Sequence, residues 1–423
     1  SQVDNMAPEK GSLLARSDFP MYLIKALDER HFLVAGGGGQ AKTGVANAVE
    51  IYETKVVDGK IATSSICRHD TGSKAAMNGA TFYDGRNHYL AVGLDDECHI
   101  LSVKYKIVSP SESCEADDSS GLRKRKGGED EENKSTDNKT NTQIKYVTFD
   151  IEKIKSVKTD FAKSSSFQKV VQFSPDRSVI ATGGADGYLR VWKFDDLKKL
   201  YEVQAHKNDI DDLDFSPAGN RLVTVSRDNK CCVWNTKDGS KFTDVKWPDQ
   251  KDEYRFRACR YGLIEGNKEK FNLYTINIPC KRLTKPVPCF LTMWDSSNFK
   301  VKKTLNTGAE VLCSLAVSKD GVYIAVGTIS GSVAVFISFS LQKLYSVREA
   351  HSIFVTGLEF LPTSEGAQAV TGSQDFTLIS ISADNTIRIH QEPARSSYSI
   401  LWVVFGLLFF VCLLFYFMAE IGL

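Results

Sequence analysis

The sequence predicts an all-β propeller of seven blades followed by one C-terminal transmembrane helix. Three observations carry this expectation. Short strand-like runs recur from Pro20 onward, broken by Gly, Asp, Asn and Ser-Pro turns, the pattern of many short, evenly spaced strands. A unit repeats: Phe173, Asp186 and Trp192 return as Phe215, Asp228 and Trp234, each 42 positions on. Ser399 to Met418 carries no charge.

Within the repeat, Phe173-Ser174-Pro175-Asp176 answers Phe215-Ser216-Pro217-Ala218-Gly219, and Val191-Trp192 answers Val233-Trp234. A period near 42 with a terminal Trp in a strand resembles the WD-repeat family, with one four-stranded blade per unit. Val311 to Val335 holds a weaker copy, with Ser318-Lys319-Asp320-Gly321 but Phe336 in place of Trp. Dividing the chain by this unit starts blades near Met21, Lys74, Phe167, Asp209, Tyr254, Val311 and Val355. The last unit lacks an outer strand, which the segment near Leu13-Leu14 is expected to supply. His206, Asp228 and Trp234, with Thr224 or Ser226, read as a buried network tying blade to blade, because buried polar groups need partners. They do not read as a catalytic triad. His351 is expected to play the same part before the last unit.

The propeller is assigned to residues 13–392, after a disordered N-terminus at 1–12. Residues 109–142 interrupt blade two. There Arg123-Lys124-Arg125-Lys126 is followed at once by Glu129-Asp130-Glu131-Glu132, a composition that cannot bury enough apolar surface to order itself. A linker at 393–398 leads to the membrane helix at 399–418 and a short lumenal tail at 419–423. At about 1.5 Å per residue, the apolar run spans a hydrocarbon core of about 30 Å. Tyr398, Trp402 and Tyr416 sit where interfacial aromatics belong. Arg388 and Arg395 precede the run and only Glu420 is charged beyond it. The positive-inside rule therefore puts the propeller in the cytosol. The polar first ten residues do not read as a signal peptide. Asn133 and Asn138, formal glycosylation acceptors, are expected to stay unmodified.

Charge is balanced, with 53 basic and 52 acidic residues, which counts against a broad nucleic-acid surface. The ten cysteines are scattered without a CxxC pair, so neither a zinc site nor a disulfide framework is indicated. No carboxylate pair or cysteine–histidine pair stands out for bond-breaking chemistry or a small-molecule substrate.

One stretch resists a purely structural reading: Gly36-Gly37-Gly38-Gly39-Gln40-Ala41-Lys42-Thr43-Gly44. Strand-like runs at Phe32–Ala35 and Asn47–Tyr52 flank it, and consecutive glycines are entropically costly to order. A phosphate-binding loop fits poorly, because Ala41 replaces the second glycine and a strand follows where a helix is needed. A plain surface turn is one alternative. The other is a loop folded on itself to touch a partner, with carbonyls converging on a potassium ion.

A propeller, this loop in blade one and a C-terminal anchor together resemble the endoplasmic-reticulum exchange factors that start COPII coat assembly. Animal members of that family are known as prolactin regulatory element-binding proteins. The resemblance covers nearly the whole chain. It is most specific at Val34-Ala35-Gly36 to Gly39, Ala41-Lys42-Thr43-Gly44 and Asn47, with further matches at His69-Asp70-Thr71, Met77-Asn78 and Ala350-His351-Ser352. It implies guanine-nucleotide exchange on the small COPII-coat GTPase at the endoplasmic reticulum membrane, without covalent catalysis. The implied partner-binding residues are Gly36, Gly37, Gly38, Gly39, Thr43, Gly44, Val45 and Asn47. Val45 and Asn47 are the implied active pair of the loop, and Gly36 to Gly39 with Asn47 the implied potassium ligands. The competing expectation is a membrane-tethered propeller scaffold without exchange activity. DNA binding, suggested by the family name alone, is disfavoured by charge and anchor.

Overall fold

The computed structural model describes residues 11–40, 44–57, 60–108, 146–247, 254–264, 267–281, 286–394 and 400–421. Seven sheets of four antiparallel strands make the fold. Six are built from consecutive strands, and their first strands begin at Met21, Ala76, Gln168, Ile210, Tyr254 and Leu312. The seventh takes Val355–Phe360, Gln374–Ser382 and Thr386–Pro393 and adds β1 (Ser12–Arg16) on its outside. The ring therefore closes as the strand count requires, with Ser12 opposite Ile389 and Leu13 opposite Arg388. Ser12, assigned above to a disordered N-terminus, begins β1 because that edge needs a partner. The insertion at 109–142 lies outside the described residues.

Each blade buries both faces against its neighbours, so apolar clusters sit between blades. Cys231 packs with Phe256 and Trp294 of blade five, while Cys232, one residue on, packs with Leu189 and Val191 of blade three. Phe215, Leu222, Val233 and Trp234 are all buried in blade four. The repeated Trp donates to a Thr on the preceding strand: Trp192 to Thr182 at 3.0 Å, Trp234 to Thr224 at 2.9 Å and Trp294 to Thr275 at 2.9 Å. His206 completes the blade-four network, with Nε2 2.8 Å from Thr224 Oγ1 and Nδ1 3.1 Å from Asp228. Ser226 adjoins it, accepting the Asp228 N–H at 3.1 Å and donating to the Asn208 carbonyl. His351 does the same between Thr386 and Ser380, at 2.8 and 2.7 Å.

Two helices are present among the described residues. Glu365–Thr371 is a single short helix inside blade seven. The other runs Ile400–Ile421, and its side chains are described over 404–417 and at Glu420. That described stretch is shorter than a bilayer span of about 20 residues. Among the described residues no helix is long and apolar enough to cross a membrane.

Candidate functional site

Blade one comprises β2 (Met21–Ala26), β3 (His31–Gly37), β4 (Asn47–Val57) and β5 (Lys60–Asp70). The glycine run straddles the end of β3. Gly36 and Gly37 belong to the strand, opposite Met21 and Ala48 and opposite Asn47. They are glycine for packing reasons. A Cβ on Gly36 would overlap the Pro20 carbonyl oxygen, and one on Gly37, at φ 139°, would overlap Asn47 Oδ1. Gly38 and Gly39 leave the sheet half-buried, Gln40 is exposed, and the chain re-enters description at Gly44. Thr43 lies outside the described residues.

Asn47 organises what is left. Its residue is 6% exposed. Its Oδ1 accepts the Gly39 N–H at 2.8 Å; its Nδ2 donates to Gly39 O at 3.2 Å and to Gly72 O at 2.9 Å. Its backbone carbonyl accepts the Thr71 N–H at 2.9 Å. Gly72 is held in turn by Asp70, whose Oδ1 takes its N–H at 2.6 Å. One buried amide thus joins the glycine loop to the connection between blades one and two. From the other side Gln40 donates to Asp95 of blade two at 2.9 Å. Asp95 holds a left-handed φ of 55° at the turn after Leu94. Val45 is half-buried and packs on the cluster of Phe19, Met21, Val34 and Ala48.

The structure thus brings Gly36, Gly37, Gly38, Gly39 and Asn47 together, with Gly44 and Val45 at the return. It adds Gln40, Gly72 and Asp95, which the sequence did not single out. Gly72 was within reach, since it directly follows the matched His69-Asp70-Thr71. Asp95 gave no signal, being 55 residues from its partner. The electrostatics are mild and local. Arg68 of β5 pairs with Glu50 at 2.9 Å and Asp18 at 3.0 Å. Tyr52 donates to Glu50 at 2.7 Å, and burial together with that carboxylate pushes the phenol well above its usual range.

The implied potassium ion can be tested against the donors. Among the described residues no group of three or more His, Cys, Asp or Glu side chains could hold a metal ion. The loop offers neutral oxygens instead. The Gly39 and Gly72 carbonyls converge on a single partially positive nitrogen, Asn47 Nδ2. Convergent carbonyls are the donor set a monovalent cation takes, so the residues fit that group in kind.

Comparison with known proteins gives the family. The family model for the WD domain, G-beta repeat, matches residues 157–193 and 197–235, across blades three and four. The guanine nucleotide-exchange factor SEC12 of Mus musculus is 38% identical over 402 residues, covering 93% of each chain. Its counterpart in Rattus norvegicus is 37% identical over 399 residues, again 93% of each. SEC12-like protein 2 of Arabidopsis thaliana is 31% identical over 223 residues, 52% of this chain and 51% of that protein. Similarity at this level across nearly all of both chains means that this protein belongs to the SEC12 family of guanine nucleotide-exchange factors.

Proposed function

We propose that this chain is a guanine-nucleotide exchange factor for the small GTPase of the COPII coat, acting at the endoplasmic reticulum membrane. The observation that carries the reading is the clamp on the glycine loop: a buried Asn47 spends its whole side-chain amide on holding Gly39 and Gly72 in place. A loop held in one shape before binding loses less entropy at the interface. It can then press on a partner without first having to order.

Exchange follows from linkage and needs no covalent step. A factor that prefers the nucleotide-free GTPase weakens nucleotide binding by the same factor by which nucleotide weakens its own binding. Gly38, Gly39, Gln40 and Gly44 carry the contact, with Thr43 between them in sequence. Asn47 acts on the loop and not on the GTPase. Val45 seats the return of the loop on the blade core, and through it the loop keeps its height above the propeller. Of the implied potassium ligands, Gly36 and Gly37 lie in β3 and the Asn47 amide is spent on Gly39 and Gly72; the carbonyls of Gly38 and Gly39, with Gly72, would hold the ion, which would supply positive charge among them.

Ser399 to Met418, a run of twenty residues without charge, supports a single-pass anchor with the propeller in the cytosol. Such an anchor confines activation to one membrane. The test is release of a fluorescent nucleotide from the purified GTPase with catalytic amounts of the full chain. Acceleration is expected. Binding to the GTPase with an unchanged release rate would instead make the protein a tethered scaffold.

A further inference from the structure

We infer that Ile329, Ile353 and Phe354 form a second foothold for the GTPase, on the glycine-loop face at the seam of blades six and seven. This rests on the exchange reading above and adds to it a contact that holds the partner without acting on its nucleotide.

The repeat itself marks these positions. Lys207, Asn208 and Asp209 follow His206 where Ser352, Ile353 and Phe354 follow His351. Arg227 follows Leu222, the partner of Trp234, at the same spacing at which Ile329 follows Ile324, the partner of Phe336. Blade four thus shows charged and amide side chains at sites where blades six and seven show apolar ones. Ile329 is 53% exposed, Phe354 41% and Ile353 39%. Blade four folds with polar residues at these sites, so packing of the ring does not call for apolar ones. A cluster of exposed apolar groups of that kind points to a partner.

The cluster is continuous. A Cβ on Gly331 would overlap the His351 carbonyl oxygen and crowd that of Ile353. The His351 N–H donates to the Gly331 carbonyl at 3.0 Å. The loops bearing Ile329 and Ile353 therefore abut. Exposed Arg348 and Glu349 rim them, with Glu310, which accepts the Ser330 hydroxyl at 2.8 Å. An apolar centre with a charged rim is the make-up of a protein interface.

Placement selects the occupant. Thr356 Oγ1 donates to the Met21 carbonyl at 2.6 Å, and Met21 lies opposite Gly36. The inner strand of blade seven therefore begins at the glycine-loop end, with Phe354 just before it. The Phe354 carbonyl accepts Ser382 Oγ at 2.8 Å. Further along that connection the Asn385 carbonyl takes the Ser17 N–H at 3.0 Å, and the Pro20 carbonyl takes the Gly37 N–H at 2.9 Å. Val45, at the return of the glycine loop, shares a cluster with Ile381 and Ile387 of blade seven. Foothold and loop are thus joined on one surface, and a partner pressed on the loop lies within reach of both. Thr386–Pro393 runs parallel to the inner strand and ends at the opposite end of the ring. The patch therefore faces away from the bilayer that the apolar run after Pro393 would enter.

A contact away from the loop binds both nucleotide states of the partner alike. Such uniform binding lowers the half-saturating concentration and leaves turnover unchanged.

The test measures release of a fluorescent nucleotide over a range of GTPase concentrations, with catalytic amounts of the full chain. The double variant Ile353→Ser with Phe354→Ser is compared with Ile329→Ser alone. The half-saturating concentration is expected to rise roughly tenfold or more in the double variant, with the maximal rate kept, whereas Asn47→Ala lowers the maximal rate. An unchanged half-saturating concentration in both variants, or a fall in maximal rate alone, overturns the foothold. If the double variant melts early, the single variant and a photo-reactive phenylalanine analogue in place of Phe354 carry the test. A GTPase adduct is expected there; adducts only to a second copy of the chain, or only to lipid, overturn the foothold. A parent chain that does not accelerate release overturns the exchange reading instead, and the adduct then decides the foothold by itself.

Discussion

Asn47 and Gly39 hold each other from both ends of one amide: Oδ1 accepts the glycine N–H at 2.8 Å, and Nδ2 donates to the same residue's carbonyl at 3.2 Å. Asn47→Ala removes both bonds and a third to Gly72. Losing buried polar partners typically costs about 1–3 kcal/mol. If the clamped loop is needed in the exchange transition state, release slows roughly five- to 150-fold. The ring should stay folded, so the melting temperature of the propeller should fall little. Fluorescent-nucleotide release and a thermal melt on the same sample separate the two. A variant that melts early yet exchanges at full rate per folded molecule would reduce Asn47 to a turn cap.

Gly37→Ala and Gly44→Ala should behave differently. A methyl on Gly37 overlaps Asn47 and has nowhere to go, whereas one on Gly44 meets nothing within 4 Å among the described residues. The first should displace the clamp and abolish most exchange. The second meets only the backbone penalty of a left-handed φ, about 1 kcal/mol, and should retain a measurable rate. Equal rates in the two variants would argue that loop shape does not govern release.

Replacing potassium by sodium at constant ionic strength should lower the exchange rate. Convergent carbonyls spaced for the larger ion fit the smaller one less well. Rates measured across a range of both salts decide this, and superimposable curves remove the ion from the mechanism.

Thr224→Val should destabilise the propeller without touching the loop. It strands the Trp234 indole N–H and the His206 ring at once, at about 1–3 kcal/mol for each buried group left unpaired. The readout is a lower melting temperature with unchanged exchange per folded molecule.

Acid should loosen the last blade through His390. Burial, reinforced by His351 and Arg388, pushes its imidazole from 6.5 down to about 3. The unfolded chain takes up a proton in that window and the folded chain does not, so stability is full above pH 6.5 and falls as pH drops toward 3. His351 is shifted in the same direction, again by burial first. His390→Gln removes one titrating ring. Denaturant melts between pH 7 and 4 should show a shallower loss of stability for the variant than for the parent.

Much of this architecture was legible before any coordinates. The 42-residue offset and the strand Trp residues marked the blades, because each repeat must bury the same faces. The shortfall in the seventh unit pointed to β1, because an unpaired edge has to be filled. Other features stayed hidden for physical reasons. Glu365–Thr371 has only 7 residues, too few to display helical periodicity. Gly36 and Gly37 looked like loop and are strand, since what forbids a side chain there is Pro20 and Asn47, neither adjacent in sequence. Val45, implied as half of the loop's active pair, packs against Phe19 and Met21, a contact that sequence spacing does not show. The extra length of the outer strands of blades one and two, 11 to 13 residues each, has no signature apart from register, which sequence alone does not fix.

The seam in blade seven also sets a timetable. Arg388 donates to the Gly11 carbonyl at 2.8 Å across 377 positions of sequence. Six sheets can be complete on a growing chain while the seventh still waits for its inner three strands. Until then β1 is a strand without a neighbour, and so is each open side of the ring, a template for the wrong partner. The last strand to be synthesised is followed at once by the apolar helix. The emergence of that helix falls at the end of this wait, so newly made protein should depend on holding chaperones until the last strand has paired with β1.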